Sequence, residues 1–184
     1  MRKRTLALVA FSSLLLGGCT TRLRLVNPDA IPSIDPLPVQ LGPQLCGLED
    51  RVTNGHMTVL VPTGELLAYY FPGAAAGGAP RATLQLVDSH LDLDASEARG
   101  AGALGLLDTP MHLSMVGGYT CQYTLVVEAV TADGARHRLT GRGEARAPND
   151  GQAALRSAVI QAATALHQQV GALIAEPAPA VAQQ

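Results

Sequence analysis

The chain has 184 residues and a formal net charge of −2, with four Tyr, two Phe and no Trp. This length is enough for one domain with a sizeable core. A nucleic-acid-binding protein would show a basic excess and aromatic side chains for base stacking, so we expect no nucleic-acid partner.

The N-terminal segment has the pattern of a secretory signal. Three basic residues at positions 2–4 precede an apolar run over 6–16, and Gly17 and Gly18 then precede Cys19. A positive start, a short apolar run and small residues before a cut are typical of signal peptides. The run is too short for a bilayer core, which needs roughly 20 residues. We predict a signal peptide over residues 1–18.

The tetrapeptide Leu16-Gly17-Gly18-Cys19 resembles the lipobox of bacterial lipoproteins. The resemblance implies cleavage before Cys19, diacylglycerol on its thiol and a further acyl chain, such as palmitate, on its amino group. Two or more chains make membrane anchoring stable, whereas one is marginal. Thr20 follows instead of Asp, which by resemblance to lipoprotein sorting implies the periplasmic face of the outer membrane.

The rest of the chain divides by composition. Removal of the signal leaves ten Arg and no Lys against 15 acidic residues. Pro28, Pro32, Pro36 and Pro38 keep their surroundings extended, so we predict a lipid-anchored tether over 19–42. A single periplasmic α+β domain is expected over 43–175, and a disordered Pro/Ala tail over 176–184.

Two further cysteines, Cys46 and Cys121, remain beside Cys19. An even pair in an oxidising compartment predicts a disulfide bond. It would close a loop of about 75 residues and contribute on the order of 4 kcal/mol.

The first half of the domain predicts two strands and a short helix. Residues 56–61 are rich in β-branched side chains and end at Pro62. Thr63 could cap a helix over 64–71, for which a hairpin across Thr63-Gly64 is the alternative. Residues 82–94 predict a strand with a bulge near 87–89, because its leucines change parity there. Residues 111–116 are a further candidate strand.

The second half carries the clearest local pattern. Residues 120–131 and 135–145 alternate on either side of Asp133-Gly134, which predicts a hairpin. A helix over 150–175 has an apolar stripe and can be capped by Asn149 or Asp150. Its alanines can pack closely on Gly141 and Gly143. The expected fold class is α+β, an antiparallel sheet with a long C-terminal helix on one face.

No catalytic signature is present, so we expect neither an enzyme nor a cofactor. Asp88, His90, Asp92 and Asp94 alternate along one strand. Same-face neighbours on a strand lie nearly 7 Å apart, so a solvated face is expected there instead of a metal site. The pattern G-x-G-x-x-G beginning at Gly100 follows no clean strand and does not indicate nucleotide binding.

Four arginines share parity on the last predicted strand. They are Arg136, Arg138, Arg142 and Arg146. Arginine suits phosphate groups and acidic partner surfaces, so this is the candidate anion or partner face. The alternative is an exposed face that Glu128 and Glu144 partly neutralise.

The layout resembles small outer-membrane lipoproteins of the YajG type and auxiliary lipoproteins of envelope lipid transport (PqiC- and LptE-like). The features that carry the resemblance are the lipobox, the proline-rich segment, the hairpin and the terminal alanine-rich helix. The resemblance implies a non-catalytic binding or assembly factor of the cell envelope. The alternative that it implies is an auxiliary subunit of an ABC-type lipid transport system.

Overall fold

The computed structural model describes residues 19–25, 34–54, 57–73, 79–94, 118–148 and 150–175. These residues form two sheets and three helices, in the order β1, β2, α1, β3, β4, α2, β5, β6, β7, α3. The strands are Cys19–Arg22, Val39–Leu41, Asp50–Asn54, Met57–Val61, Ala82–Asp94, Gly118–Thr131 and Arg136–Pro148; the helices are Pro43–Cys46, Thr63–Tyr70 and Gly151–Ala175.

The larger sheet has the strand order β2-β5-β6-β7, and its last three strands are antiparallel. The predicted hairpin is confirmed, with Gly134 in its turn at a φ of 85°. A left-handed backbone of this kind favours glycine. The predicted bulge is also confirmed, because the register of β5 on β6 shifts between Leu86 and Asp88 and leaves Val87 as the extra residue.

The smaller sheet has the order β1-β4-β3, with β1 parallel and β3 antiparallel to β4. The helix predicted after Pro62 is confirmed as α2, so the hairpin alternative is wrong. Thr63 does not cap it, because Thr63 is its first residue and its hydroxyl donates to the carboxylate of Asp50 at 2.8 Å.

The long C-terminal helix α3 packs on one face of the larger sheet, as predicted. Asp150 caps it, since its Oδ1 accepts a hydrogen bond from the Ala153 N–H at 2.9 Å. The close packing on glycines is confirmed. A Cβ added at Gly141 would lie 2.3 Å from the Ala162 carbonyl oxygen, and one at Gly143 would lie 1.9 Å from that of Ala158. Only glycine lets the helix and strand backbones approach this closely.

The predicted tether over 19–42 is wrong in the parts that the structure describes. Residues Cys19–Arg22 form an edge strand on β4, and the Leu23 N–H continues the ladder to the Leu60 carbonyl at 2.8 Å. Leu23, Leu25 and Val39 are each at most 2% exposed and belong to the core. Residues 19–25 and 39–41 therefore belong to the folded domain, for which residue 43 is the predicted start. The burial of Leu23, Leu25 and Val39 stabilises them there.

The predicted Cys46–Cys121 disulfide is not formed. Cys46 is exposed on α1, whereas Cys121 is fully buried on β6. The Cys46 Sγ lies 3.9 Å from the Leu41 carbonyl oxygen. Leu41 on β2 pairs with Leu84 on β5, which in turn pairs with Ala129 on β6. Ala129 is eight residues along β6 from Cys121, about 26 Å of strand, and a disulfide needs Cα atoms within about 7 Å. Burial, together with the nearby charge of Asp92, raises the pKa of Cys121 to about 12.

A partly buried polar cluster joins the two sheets. The Asp50 carboxylate on β3 accepts hydrogen bonds from Ser89 at 2.8 Å, Thr63 at 2.8 Å and Tyr123 at 2.9 Å. Thr63 and Tyr123 are at most 1% exposed, and burial raises the pKa of the Tyr123 hydroxyl. Asp50 therefore ties β3 of the small sheet to β5 and β6 of the large one.

Several predictions fall outside the described residues. They are the signal peptide over 1–18, the glycine pattern beginning at Gly100, the strand over 111–116, the cap at Asn149 and the tail over 176–184. Among the helices that are described, none combines the length and the apolar character needed to cross a bilayer.

Candidate binding face

The face of the larger sheet opposite α3 is largely polar, with Val126 and Val130 among the outward side chains of its middle strand. We call it the outer face, defined by the outward side chains of β5, β6 and β7. The outward residues of β6 form a row along the middle of this face, which we call the middle lane. Each of them has a paired β5 residue on one side and a paired β7 residue on the other. No described helix or strand packs on this face.

The four predicted arginines lie on one side of the outer face, on β7, with the exposed Glu144 between Arg142 and Arg146. Each is exposed. Arg136 donates to Glu128 at 3.1 Å, and the Arg146 Nε donates to Thr120 Oγ1 at 3.3 Å. Arg142 is aligned with Thr124, and neither it nor Arg138 has an ion pair among the described residues.

The acidic strand residues lie on the opposite side of the same face. Asp88, His90, Asp92 and Asp94 are exposed on β5 and flank β6 across from the arginines. Strands in a sheet are 4.7–4.9 Å apart, so the basic and acidic stripes are separated by about 10 Å. The outer face is therefore bipolar, which fits a partner carrying charges of both signs better than a uniformly anionic surface.

The same four β5 residues do not form a metal site. The part of the chain that the structure describes holds no group of three or more His, Cys, Asp or Glu side chains that could share a metal ion. The alternation along β5 places these four exposed side chains on the outer face.

The free edge of β7 is occupied by glutamine side chains of α3. Gln169 accepts from the Thr140 N–H at 3.3 Å and donates to the Thr140 carbonyl at 2.9 Å, which imitates the pairing of a further strand. Gln161 accepts from the Glu144 N–H at 3.2 Å. Gln161 and Gln169 lie eight residues apart on the helix, a rise of about 12 Å. Thr140 and Glu144 lie four residues apart on the strand, about 13 Å. The two glutamines can therefore contact both strand positions at once. Strand addition at this part of the edge is thereby opposed.

A shallow cleft of about 360 Å³ lies at the side of the larger sheet formed by β2 and β5. Gln40, Gly42, Thr83 and Gln85 contribute to its lining. Gln85 is aligned with Glu128 and so belongs to the outer face. The cleft extends that face towards β2.

Sequence reasoning missed the glutamines and Asp50. The positions of Gln161 and Gln169 give a weak sequence signal, because two glutamines eight residues apart lie on the same side of a helix. Asp50 carries none, because a single acidic residue between Glu49 and Arg51 has no distinguishing pattern.

Comparison with known proteins gives little further guidance. No family profile and no curated protein matches this sequence. Among solved structures, the chain is similar to the crystal structure of a proposed lipoprotein from Caulobacter crescentus CB15, at 16% sequence identity and a TM-score of 0.36. The match covers 63% of this chain and 84% of that one. A similarity of this degree carries no inference about function.

Proposed function

We propose that this protein is a lipoprotein of the bacterial cell envelope that acts as a non-catalytic binding or assembly factor. Its lipid is carried by Cys19 and holds it at the periplasmic face of the outer membrane. Its binding surface is the outer face of the larger sheet.

The single observation that carries this proposal is the bipolar outer face. It spans three long strands, and Arg138 and Arg142 have no ion pair among the described residues. Exposed ion pairs add little affinity, but complementary charges steer a partner and fix its orientation. On the edge of β7, where a partner strand could add, Gln169 and Gln161 occupy the backbone N–H groups of Thr140 and Glu144.

The chemistry of the described residues favours binding over catalysis. The buried Cys121 is a thiol at neutral pH because its pKa is raised to about 12, so it is a poor nucleophile. The hydroxyls around Asp50 are used in joining the sheets, and the Tyr123 hydroxyl among them is fully buried. The exposed His90 lies on the opposite side of β5 from Ser89, so the two do not form a dyad.

Photo-crosslinking in intact cells tests the proposal. A photoreactive residue at Gln122, in the middle lane of the outer face, should yield an adduct with an envelope protein. The same residue at Gln168, an exposed glutamine on α3, is the matched control and should yield none. Arg142→Glu should reduce the Gln122 adduct several-fold. Arg142 pairs with Thr124, the residue next to Gln122 in the middle lane, so the substitution reverses a charge beside the crosslinking position.

The identity of the adduct separates the two functions that the layout implies. Capture of a component of an ABC-type lipid transporter would favour the auxiliary-subunit alternative. Equal adducts from Gln122 and Gln168, or an adduct that Arg142→Glu does not change, would contradict a binding role for the outer face.

A further inference from the structure

The first residues after the proposed cleavage site are held in the fold. The strand Cys19–Arg22 pairs with β4 over all four residues, and the Leu23 N–H donates to the Leu60 carbonyl oxygen at 2.8 Å. Leu23 and Leu25 are each 2% exposed. The Arg24 carbonyl oxygen accepts a hydrogen bond from the Arg156 Nε on α3 at 3.0 Å, which fixes this segment to the long helix as well.

This arrangement sets a short distance between lipid and core. The buried Leu23 follows Cys19 by four positions, and four steps of extended chain span at most about 14 Å. A free tether over 19–42 could instead reach about 80 Å. Acyl chains carried by Cys19 would therefore enter the bilayer beside the folded domain.

Within the described residues, the two rows of the smaller sheet nearest to Cys19 hold no acidic or basic side chain. The first row across the sheet consists of Cys19, Met57 and Asn54, and the second consists of Thr20, Thr58 and Thr53. These rows hold no carboxylate that would be repelled by lipid phosphates. Two rows further along, Arg22 and Arg51 flank Leu60 on the same face as the threonines.

Of these two arginines, Arg51 is the one available to a new partner. Arg22 is ion-paired with Glu65 at 2.8 Å and Glu49 at 3.7 Å. Arg51 is exposed and has no ion pair within the described residues. Arg51 lies about 10 Å further along the strand direction than Cys19 and two strands across from it, or about 14 Å between the Cα atoms. Its long side chain lies within reach of the headgroup region of a bilayer that the anchor enters.

We propose that the end of the smaller sheet at which β1 begins rests directly on the bilayer surface, with Arg51 at the level of the lipid phosphates. This orientation rests on the proposed function, since it requires the lipid on Cys19. It assigns the smaller sheet to the membrane and leaves the outer face of the larger sheet for a protein partner.

Fluorescence quenching in vesicles tests the orientation. The full acylated chain, with Cys46→Ser to remove the other exposed thiol, carries a fluorophore at Thr53→Cys. It is reconstituted into phosphatidylcholine and phosphatidylglycerol vesicles that contain a lipid with a nitroxide headgroup. We expect strong quenching, because Thr53 lies in the second row from the anchor.

The matched control is the same chain with 20 Gly/Ser residues inserted between Cys19 and Thr20. Such a linker has a root-mean-square length of about 25 Å, so quenching should fall at least twofold. Equal quenching in the two chains would overturn the proposal.

A second variant tests the role of Arg51. Arg51→Gln should reduce quenching in vesicles with phosphatidylglycerol, whereas Arg142→Gln on the larger sheet should not. An identical effect of the two variants would contradict the assignment of Arg51 to the lipid phosphates. Mass measurement of the chain beforehand separates the hypotheses, because a chain without acyl groups contradicts the proposed function itself.

Discussion

Replacing Gly143 with alanine is expected to lower the free energy of unfolding by about 3 kcal/mol or more. The new Cβ would lie 1.9 Å from the Ala158 carbonyl oxygen and 2.9 Å from the Ala162 N. Both atoms belong to the helix backbone, so no side-chain rotation can relieve the overlap, and α3 must move away from β7. Urea denaturation of the mature chain with Cys19→Ser measures the change.

Gly171→Ala is the matched control for this prediction. Gly171 lies inside the same helix, and a Cβ there would meet only the Leu37 Cδ atoms at 3.8 and 3.9 Å, which is ordinary contact. Alanine is favoured over glycine in a helix by up to about 1 kcal/mol, so this variant should be neutral or slightly more stable. If Gly143→Ala were as stable as Gly171→Ala, the close approach of α3 to β7 would be wrong.

Replacing Asp50 with alanine is expected to lower the free energy of unfolding by about 2–4 kcal/mol. The substitution removes the common acceptor of Ser89, Thr63 and Tyr123. The Thr63 and Tyr123 hydroxyls are almost fully buried, so water cannot readily replace the carboxylate. Because Asp50 joins β3 to β5 and β6, the loss should also loosen the contact between the two sheets.

Ser89→Ala provides the control for the Asp50 prediction. It removes the hydroxyl that donates to Asp50 Oδ1, whereas the Thr63 and Tyr123 hydroxyls still donate to Asp50 Oδ2. The expected cost is about 1 kcal/mol. Denaturation curves for the two variants should therefore differ clearly, and a loss in Asp50→Ala no larger than in Ser89→Ala would show that the cluster does not hold the sheets together.

The parts of the fold that sequence predicts are those with a local pattern. The β6–β7 hairpin follows from alternation around Asp133-Gly134, and the bulge at Val87 follows from the change in leucine parity. The packing of α3 on Gly141 follows from small residues on both partners. Each of these features is contained within a short stretch of chain, where side-chain periodicity reports directly on structure.

The parts that sequence does not predict depend on distant pairing. The strand Cys19–Arg22 is only four residues long and is held by parallel pairing with Met57–Val61. A strand this short has no periodicity of its own, and the prolines that follow it favour an extended segment. The buried Leu23 and Val39 reveal their role only once the partner strands are in place.

The outer face also combines features that the sequence predicts with features that depend on distant pairing. The arginine and aspartate stripes are each visible as alternation along one strand. That Arg142 and His90 flank the same residue, Thr124, depends on the register across three strands. The bulge reverses the parity of β5 halfway along its length, so counting residues from the hairpin does not place the two stripes on one face.

The mass of the mature chain isolated from membranes tests the central claim most directly, because both the proposed function and the proposed orientation require acyl groups on Cys19. The N-terminal peptide should begin at Cys19 and carry the mass of diacylglycerol and a further acyl chain, and Cys19→Ser should abolish this modification and release the protein from the membrane fraction. A chain that retains residues 1–18, or begins at another residue without acyl groups, would contradict the claim.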